Sequence, residues 1–277
     1  MKETFLSGGD RLSVHLSGTG VPVLFLHPTP PDHFYWLPLI ACLGGVRAIV
    51  PDLRGHGASE LGQSLPVGGF SRVPDAPVLT MEQLALDTLA LMDHLDVPQA
   101  VFAGCSIGGY LMMELWRRAP QRMRGMAIVC SKPQPDAEAN WDKRVATIAQ
   151  ARSGGASQVF DSMAQTLIGA TARARMPQMV QELRARMTIT PEALVAVQAG
   201  LAVRPDSVPS VATIDVPVLA IAGGEDPGIT PAEMSVFQTA PGGCEFHLLP
   251  DAGHLAAYEQ PDKVASLFAP WLRQFSI

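Results

Sequence analysis

The stretch Gly104-Cys105-Ser106-Ile107-Gly108 fits the pattern G-x-S-x-G. It lies where the β-favouring run Val101-Phe102-Ala103 gives way to a helix-forming one, from Gly109 to Trp116, that stops near Pro120. A serine at such a strand-to-helix turn is held clear of its backbone, and the flanking glycines allow both the tight turn and close approach of neighbouring elements. Its hydroxyl is a poor nucleophile until a base removes the proton, so an imidazole and an acid to orient it must be found elsewhere in the chain. Asp226 ends the run "VPVLAIAGGED", and His254 sits among small residues in "PDAGHLAAYEQP". Together the three would perform acyl transfer, in the chain order serine, acid, histidine. Glu225 adjoins Asp226, and an earlier strand end is another place from which the acid can come.

The elements that must position these groups are legible from hydrophobic pattern. Near-continuous apolar runs at "VPVLFLHP", "VRAIVPDL", "AVFAGCS", "MRGMAIVCS", "VPVLAIAGGED" and "CEFHLLPDAG" read as strands covered on both faces. Ahead of them, "MKETFLSGGDRLSVHL" alternates in strand fashion around a Gly-Gly-Asp turn. Helical stretches intervene, such as "TMEQLALDTLALMDHL", where Met81, Leu84, Thr88, Leu91, Met92 and Leu95 share one face and Thr80 with Gln83 forms a T-x-x-Q capping box. Strand and helix in alternation predict an α/β fold with a mostly parallel central sheet flanked by helices. Residues 132–205 differ. They hold no convincing strand and are broken by Gly154-Gly155, Pro177 and Pro191 into short helical pieces. The economical division is a core of residues 1–131 and 206–277 with a helical cap of 132–205 inserted after the sixth strand, serving as a lid. Residues 62–77, rich in Gly, Ser and Pro, read as a surface loop.

Four motifs carry a resemblance to the α/β-hydrolase fold family along nearly the whole chain: "PDLRGHGAS", "GCSIGGY", "GGEDPGITP" and "DAGHLAAYEQP", in that order. "SKPQPDAEANWDKR" and "LAVRPDSV" look like the start and end of the cap in the subgroup of 3-oxoadipate enol-lactonases and small carboxylesterases. The resemblance implies that Ser106 is the nucleophile, His254 the general base and acid, and Asp226 its orienting partner. It further implies an oxyanion hole formed by the backbone N–H groups of Ile107 and Thr29. Family members usually have His-Gly where this chain has His27-Pro28, so the loop "HPTPPDH" departs from the pattern. Proline has no N–H, but Thr29 has one, and it is biased to extended geometry between Pro28 and Pro30. The implied activity is hydrolysis of a small carboxylic ester or lactone, without cofactor. A carbon–carbon hydrolase acting on a diketone and a non-enzymatic small-molecule receptor of the same fold are the other readings.

Composition narrows the partners. At 277 residues and 47% hydrophobic the chain can bury one large core. Its net charge of -6 comes without any like-charge block, so neither nucleic acid nor a membrane is expected as a partner, and a homodimer stays open. No apolar run reaches the ~18 residues of a membrane span. Cys42, Cys105, Cys130 and Cys244 are scattered in apolar surroundings, which predicts buried free thiols and a cytoplasmic location. His27, Asp32 and His33 follow no metal-ligand spacing, and no metal is expected. Asp52 and His56 are expected to hold a turn together, and His27 to shape the oxyanion loop. Trp36, Trp141 and the lid residue Met163 are expected to wall the substrate site. One of Arg173, Arg175, Arg184 and Arg186 is a candidate to pair with a substrate carboxylate.

Overall fold

The structure, a computed structural model, describes residues 1–275. Eight strands form one sheet: β1 (Lys2–Ser7), β2 (Asp10–Ser17), β3 (Val21–Leu26), β4 (Val46–Pro51), β5 (Ala100–Cys105), β6 (Met123–Val129), β7 (Val218–Gly223) and β8 (Cys244–Leu249). Their spatial order is β1-β2-β4-β3-β5-β6-β7-β8. β2 pairs antiparallel with both β1 and β4, and every later pairing is parallel. The Gly8-Gly9 turn of the first hairpin needs positive φ at both positions, 60° and 93°, which glycine supplies without strain.

The apolar runs become strands because helices cover both faces. Every residue of β5 and β7 is buried, as parallel sheets require. Strand order reverses at β3, whose neighbours are β4 on one side and β5 on the other. Connections leaving β3 and β5 therefore part, and the crevice they open at the carboxyl ends of the strands is where such sheets hold ligands. Thr80 caps the helix Met81–His94 by accepting from the Gln83 N–H at 3.1 Å. The box is half formed, because the Gln83 amide turns to Asp87 instead of back to the cap. All four cysteines are free, but only Cys105 and Cys130 are buried: Cys42 is exposed and Cys244 half-buried, contrary to what their apolar neighbours predict.

Between β6 and β7 the described residues contain helices and no strand: Glu138–Gln150, Ala156–Leu167, Ala170–Arg175, Gln178–Ala185, Pro191–Ala202 and Val208–Val211. Gly154, at φ 87°, breaks the chain between the first two. Two buried acids secure this segment. Asp136 accepts from Arg204 at 2.5 Å and from Arg144 at 2.9 Å. Glu259, only 3% exposed, accepts backbone N–H groups from Gly253 at 2.8 Å, Leu255 at 3.2 Å and Gly169 at 3.1 Å. The first two flank His254 and the third belongs to the helical segment. Burial raises the Glu259 carboxyl above its usual range, although the three N–H groups pull the other way.

Glu259→Ala leaves buried donors without an acceptor, so a loss of at least ~2 kcal/mol is expected. For a chain of this size that is about 4–8 °C in the thermal midpoint. Glu259→Gln, which keeps one acceptor oxygen, should lose less; a circular-dichroism melt with both variants at the wild-type midpoint would contradict the role given to this carboxylate.

Candidate active site

Ser106 occupies the turn between β5 and the helix Ile107–Arg118 at φ 53° and ψ -116°, a region that side chains avoid. Its neighbours leave the backbone no alternative. The Ser106 N–H points at the carbonyls of Val129 (3.3 Å) and Cys130 (3.2 Å), while its own carbonyl accepts from Gly109, from Tyr110 and from the Ser131 hydroxyl at 2.7 Å. A β-carbon at Gly108 would stand 2.1 Å from the Leu26 carbonyl oxygen of β3, so only glycine lets the helix begin so close to the sheet. The Ser106 hydroxyl has no hydrogen-bond partner among the described residues, and neither does the Ile107 N–H that opens the helix. A free N–H at a helix start suits a developing negative charge.

His254 is buried and its Nδ1–H donates to Asp226 Oδ2 at 2.7 Å. The other Asp226 oxygen accepts from the N–H groups of Gly228 (2.8 Å) and Ile229 (3.1 Å), which fixes the carboxylate in the loop after β7. Burial alone would raise the Asp226 carboxyl, yet His254 and these N–H groups outweigh it and hold it below the usual range. Burial likewise works against a charged His254, but the Asp226 carboxylate prevails and raises the imidazole above its usual 6.5. The neighbouring Glu225 turns away, accepting from the Thr171 N–H and hydroxyl. His254 is anchored through its backbone as well: its N–H donates to Leu167 at 3.0 Å, and its carbonyl faces the Cys105 thiol. No hydrogen bond joins Ser106 to His254 in this structure, a looseness common in sites without substrate.

Two neutral histidines build the loop after β3. The Leu53 N–H donates to His27 Nε2 at 2.8 Å, so the proton of His27 sits on Nδ1 and goes to the Pro28 carbonyl at 2.7 Å. His56 Nδ1 faces the Arg54 carbonyl at 3.1 Å, which leaves Nε2 to accept from the Thr29 hydroxyl at 2.9 Å. Complete burial drives His27 down to about 4 and His56 to about 3, so both stay neutral acceptors. Asp52 accepts from the N–H groups of His33 and Ala58. The His-Pro departure is thus accommodated by side chains that hold Thr29 from the "PDLRGHG" turn.

Ser106, His254, Asp226 and Thr29 line one cavity of about 280 Å³. Met163 lines it too, whereas Trp36 and Trp141 do not. Trp36 is fully buried against Phe25 and Tyr35, because three aromatics in a row, Phe34 to Trp36, turn into the core. The Trp141 indole donates to the Ala202 carbonyl under the Arg72 guanidinium. The four lid arginines are also absent from the lining: Arg173 caps the Gln165 and Ile168 carbonyls, Arg184 pairs with Asp161, and Arg186 lies over Phe34. In their place the cavity wall carries Lys132, Lys143, Arg144 and Gln198, with Tyr110 from the helix after Ser106. Lys132 is paired to Glu233 and Arg144 to Asp136, so Lys143 alone of these cations has no carboxylate partner among the described residues. Only "SKPQPDAEANWDKR" offered a signal for this wall, by its place at the start of the inserted segment.

Residues 23–267 match the alpha/beta hydrolase family. The chain is 24% identical to 3-oxoadipate enol-lactonase 1 of Acinetobacter baylyi over 96% of its own length and 94% of that protein's. Among solved structures, a thermophilic esterase from Thermogutta terrifontis is similar over the whole of both chains, at a TM-score of 0.87 and 29% identity. The enol-lactonase of Burkholderia xenovorans is similar at a TM-score of 0.85 and 25% identity, over 98% of this chain and all of that one. No helix among the described residues is long and apolar enough to cross a membrane. Strand order, the reversal at β3 and sequence likeness across almost every element agree, and the chain belongs to the alpha/beta hydrolase family.

Proposed function

We propose that this hydrolase cleaves a small carboxylic ester or lactone through an acyl-enzyme on Ser106. The observation that carries the reading is the 2.7 Å bond from His254 to the buried Asp226 carboxylate in the cavity that Ser106 also lines. His254, neutral at Nε2, takes the Ser106 proton as the oxygen attacks the carbonyl carbon, and Asp226 stabilises the imidazolium that forms. The N–H groups of Ile107 and Thr29 receive the oxyanion, each for about 3 kcal/mol of transition-state stabilisation. Collapse of the tetrahedral intermediate breaks the carbon–oxygen bond, and His254 gives its proton to the leaving alkoxide. With a lactone the alcohol stays attached to the acyl group. Water, deprotonated by His254, then attacks the acyl carbon and frees the acid with Ser106 restored. The likeness to enol-lactonases and an esterase over full length supports this substrate class. A helical segment covering residues 132–205 acts as the lid, and Met163 and Leu167 from it meet the acyl group.

Ser106→Ala should lower turnover of a chromogenic short-chain ester by at least ~10³-fold with the fold intact; a rate within a few-fold of wild type would remove Ser106 from the mechanism. A receptor of the same fold would bind ligand with negligible turnover in the wild type as well. Because His254 must be neutral to act, kcat/KM should climb with pH and reach half its plateau above 6.5. Asp226→Asn removes the charge that raises that imidazole, so the acid limb should move to lower pH while the plateau drops by about 10⁴. An acid limb that stays in place after this change would mean that another group orients the base.

A further inference from the structure

Thr29 lines the reaction cavity, and its backbone N–H makes no hydrogen bond among the described residues. Its side chain does: the hydroxyl donates to His56 Nε2 at 2.9 Å. His56 is buried behind the cavity wall and is not part of the lining. We propose that His56 is a positioning residue for the reaction, acting through the Thr29 hydroxyl to aim the Thr29 N–H at the oxyanion. The inference rests on the acyl-enzyme reading of Ser106, and it assigns part of the rate to a group that touches no substrate.

Two grips fix the peptide that carries this N–H. The Pro28 carbonyl and the Thr29 N–H belong to one trans, planar unit, so they point in opposite directions. His27 Nδ1–H holds the carbonyl end at 2.7 Å. That bond alone leaves the plane free to turn about it, and the Thr29 side chain, held by His56, is the second point that stops the rotation. Pro28 has no N–H of its own, so Thr29 is the first residue of the loop after His27 able to donate. The clamp is itself braced from behind. His56 Nδ1 faces the Arg54 carbonyl at 3.1 Å, which places the ring's single proton there and leaves Nε2 only a lone pair to offer. Arg54 cannot drift, because its guanidinium donates to Asp87 at 2.7 and 2.8 Å and to Asp10 at 2.5 Å. The His56 ring also packs edge-on against His27, 5.0 Å between centroids. Burial keeps His56 neutral down to about 3, so the acceptor is intact wherever His254 works as a base. A chain of contacts thus runs from a buried ion pair beside β1 to a donor of the oxyanion hole, and it comes from the "PDLRGHG" turn rather than from the loop it steadies.

Thr29→Val matches the shape of the side chain, keeps the N–H and removes the hydroxyl. On a chromogenic short-chain ester its kcat should fall about 10–100-fold, as expected for a misplaced group, while KM stays within about two-fold because only the transition state loses a contact. His56→Phe keeps a ring against His27 and should show the same loss, and the double variant should be no slower than the slower single, since both changes cut one contact. Thr29→Ser returns the hydroxyl and should recover most of the lost kcat. Circular dichroism establishes that each variant is folded; if His56→Phe does not fold, the comparison of Thr29→Val with Thr29→Ser decides by itself. Wild type that turns over no ester overturns the acyl-enzyme reading and this inference with it. Wild type that is active, with Thr29→Val at the same kcat or Thr29→Ser as slow as Thr29→Val, overturns the role of His56 alone. So does an acid limb that moves in Thr29→Val, which would assign the loss to His254.

Discussion

A non-glycine residue at φ 53° persists only where packing and hydrogen bonds on both sides exceed what relaxation would recover, about 1–3 kcal/mol. At Ser106 those restraints come from different parts of the chain. β6 offers the carbonyls that face its N–H, Ser131 grips its carbonyl, and β3 touches the following helix at a distance that only Gly108 permits. The turn is therefore held only within the assembled sheet. A hydroxyl clear of every partner, followed at once by an unpaired helix N–H, is the product of that assembly and not of local sequence preference.

Burial then sorts the histidines into different kinds of work. His27, His56 and His254 are all deeply enclosed, yet the first two are held neutral as acceptors while the third is raised. The difference is a carboxylate in direct contact. Only His254 has one, and its Asp226 partner is itself steadied by two N–H groups of its own loop. Solvent exclusion without a partner makes an imidazole a rigid neutral acceptor; a carboxylate in contact instead favours its charged form.

The sequence reached far because parallel strands covered by helices write themselves as apolar runs, and each of the six strands from β3 onward coincides with such a run. Asp226 and His254 were legible for the same reason, since each follows a strand end. The wall of the cavity was not. Trp36 was expected there because a large aromatic near a site suggests a wall, but nothing in "FYW" tells which way a short turn rotates its side chains. Lys143 and Arg144 lie on a helix whose facing depends on tertiary packing between Asp136, Gln198 and Arg204.

Glu259 has a mechanical meaning beyond its contribution to stability. One carboxylate grips both the peptide units around His254 and the first residue of the stretch leading into Ala170–Arg175, and the His254 N–H is itself fastened to Leu167. Were residues 132–205 to swing outward as the proposed lid, the motion would pull on the same anchor points that hold the His254 ring against Asp226, so that opening the mouth and aiming the imidazole would be set against each other.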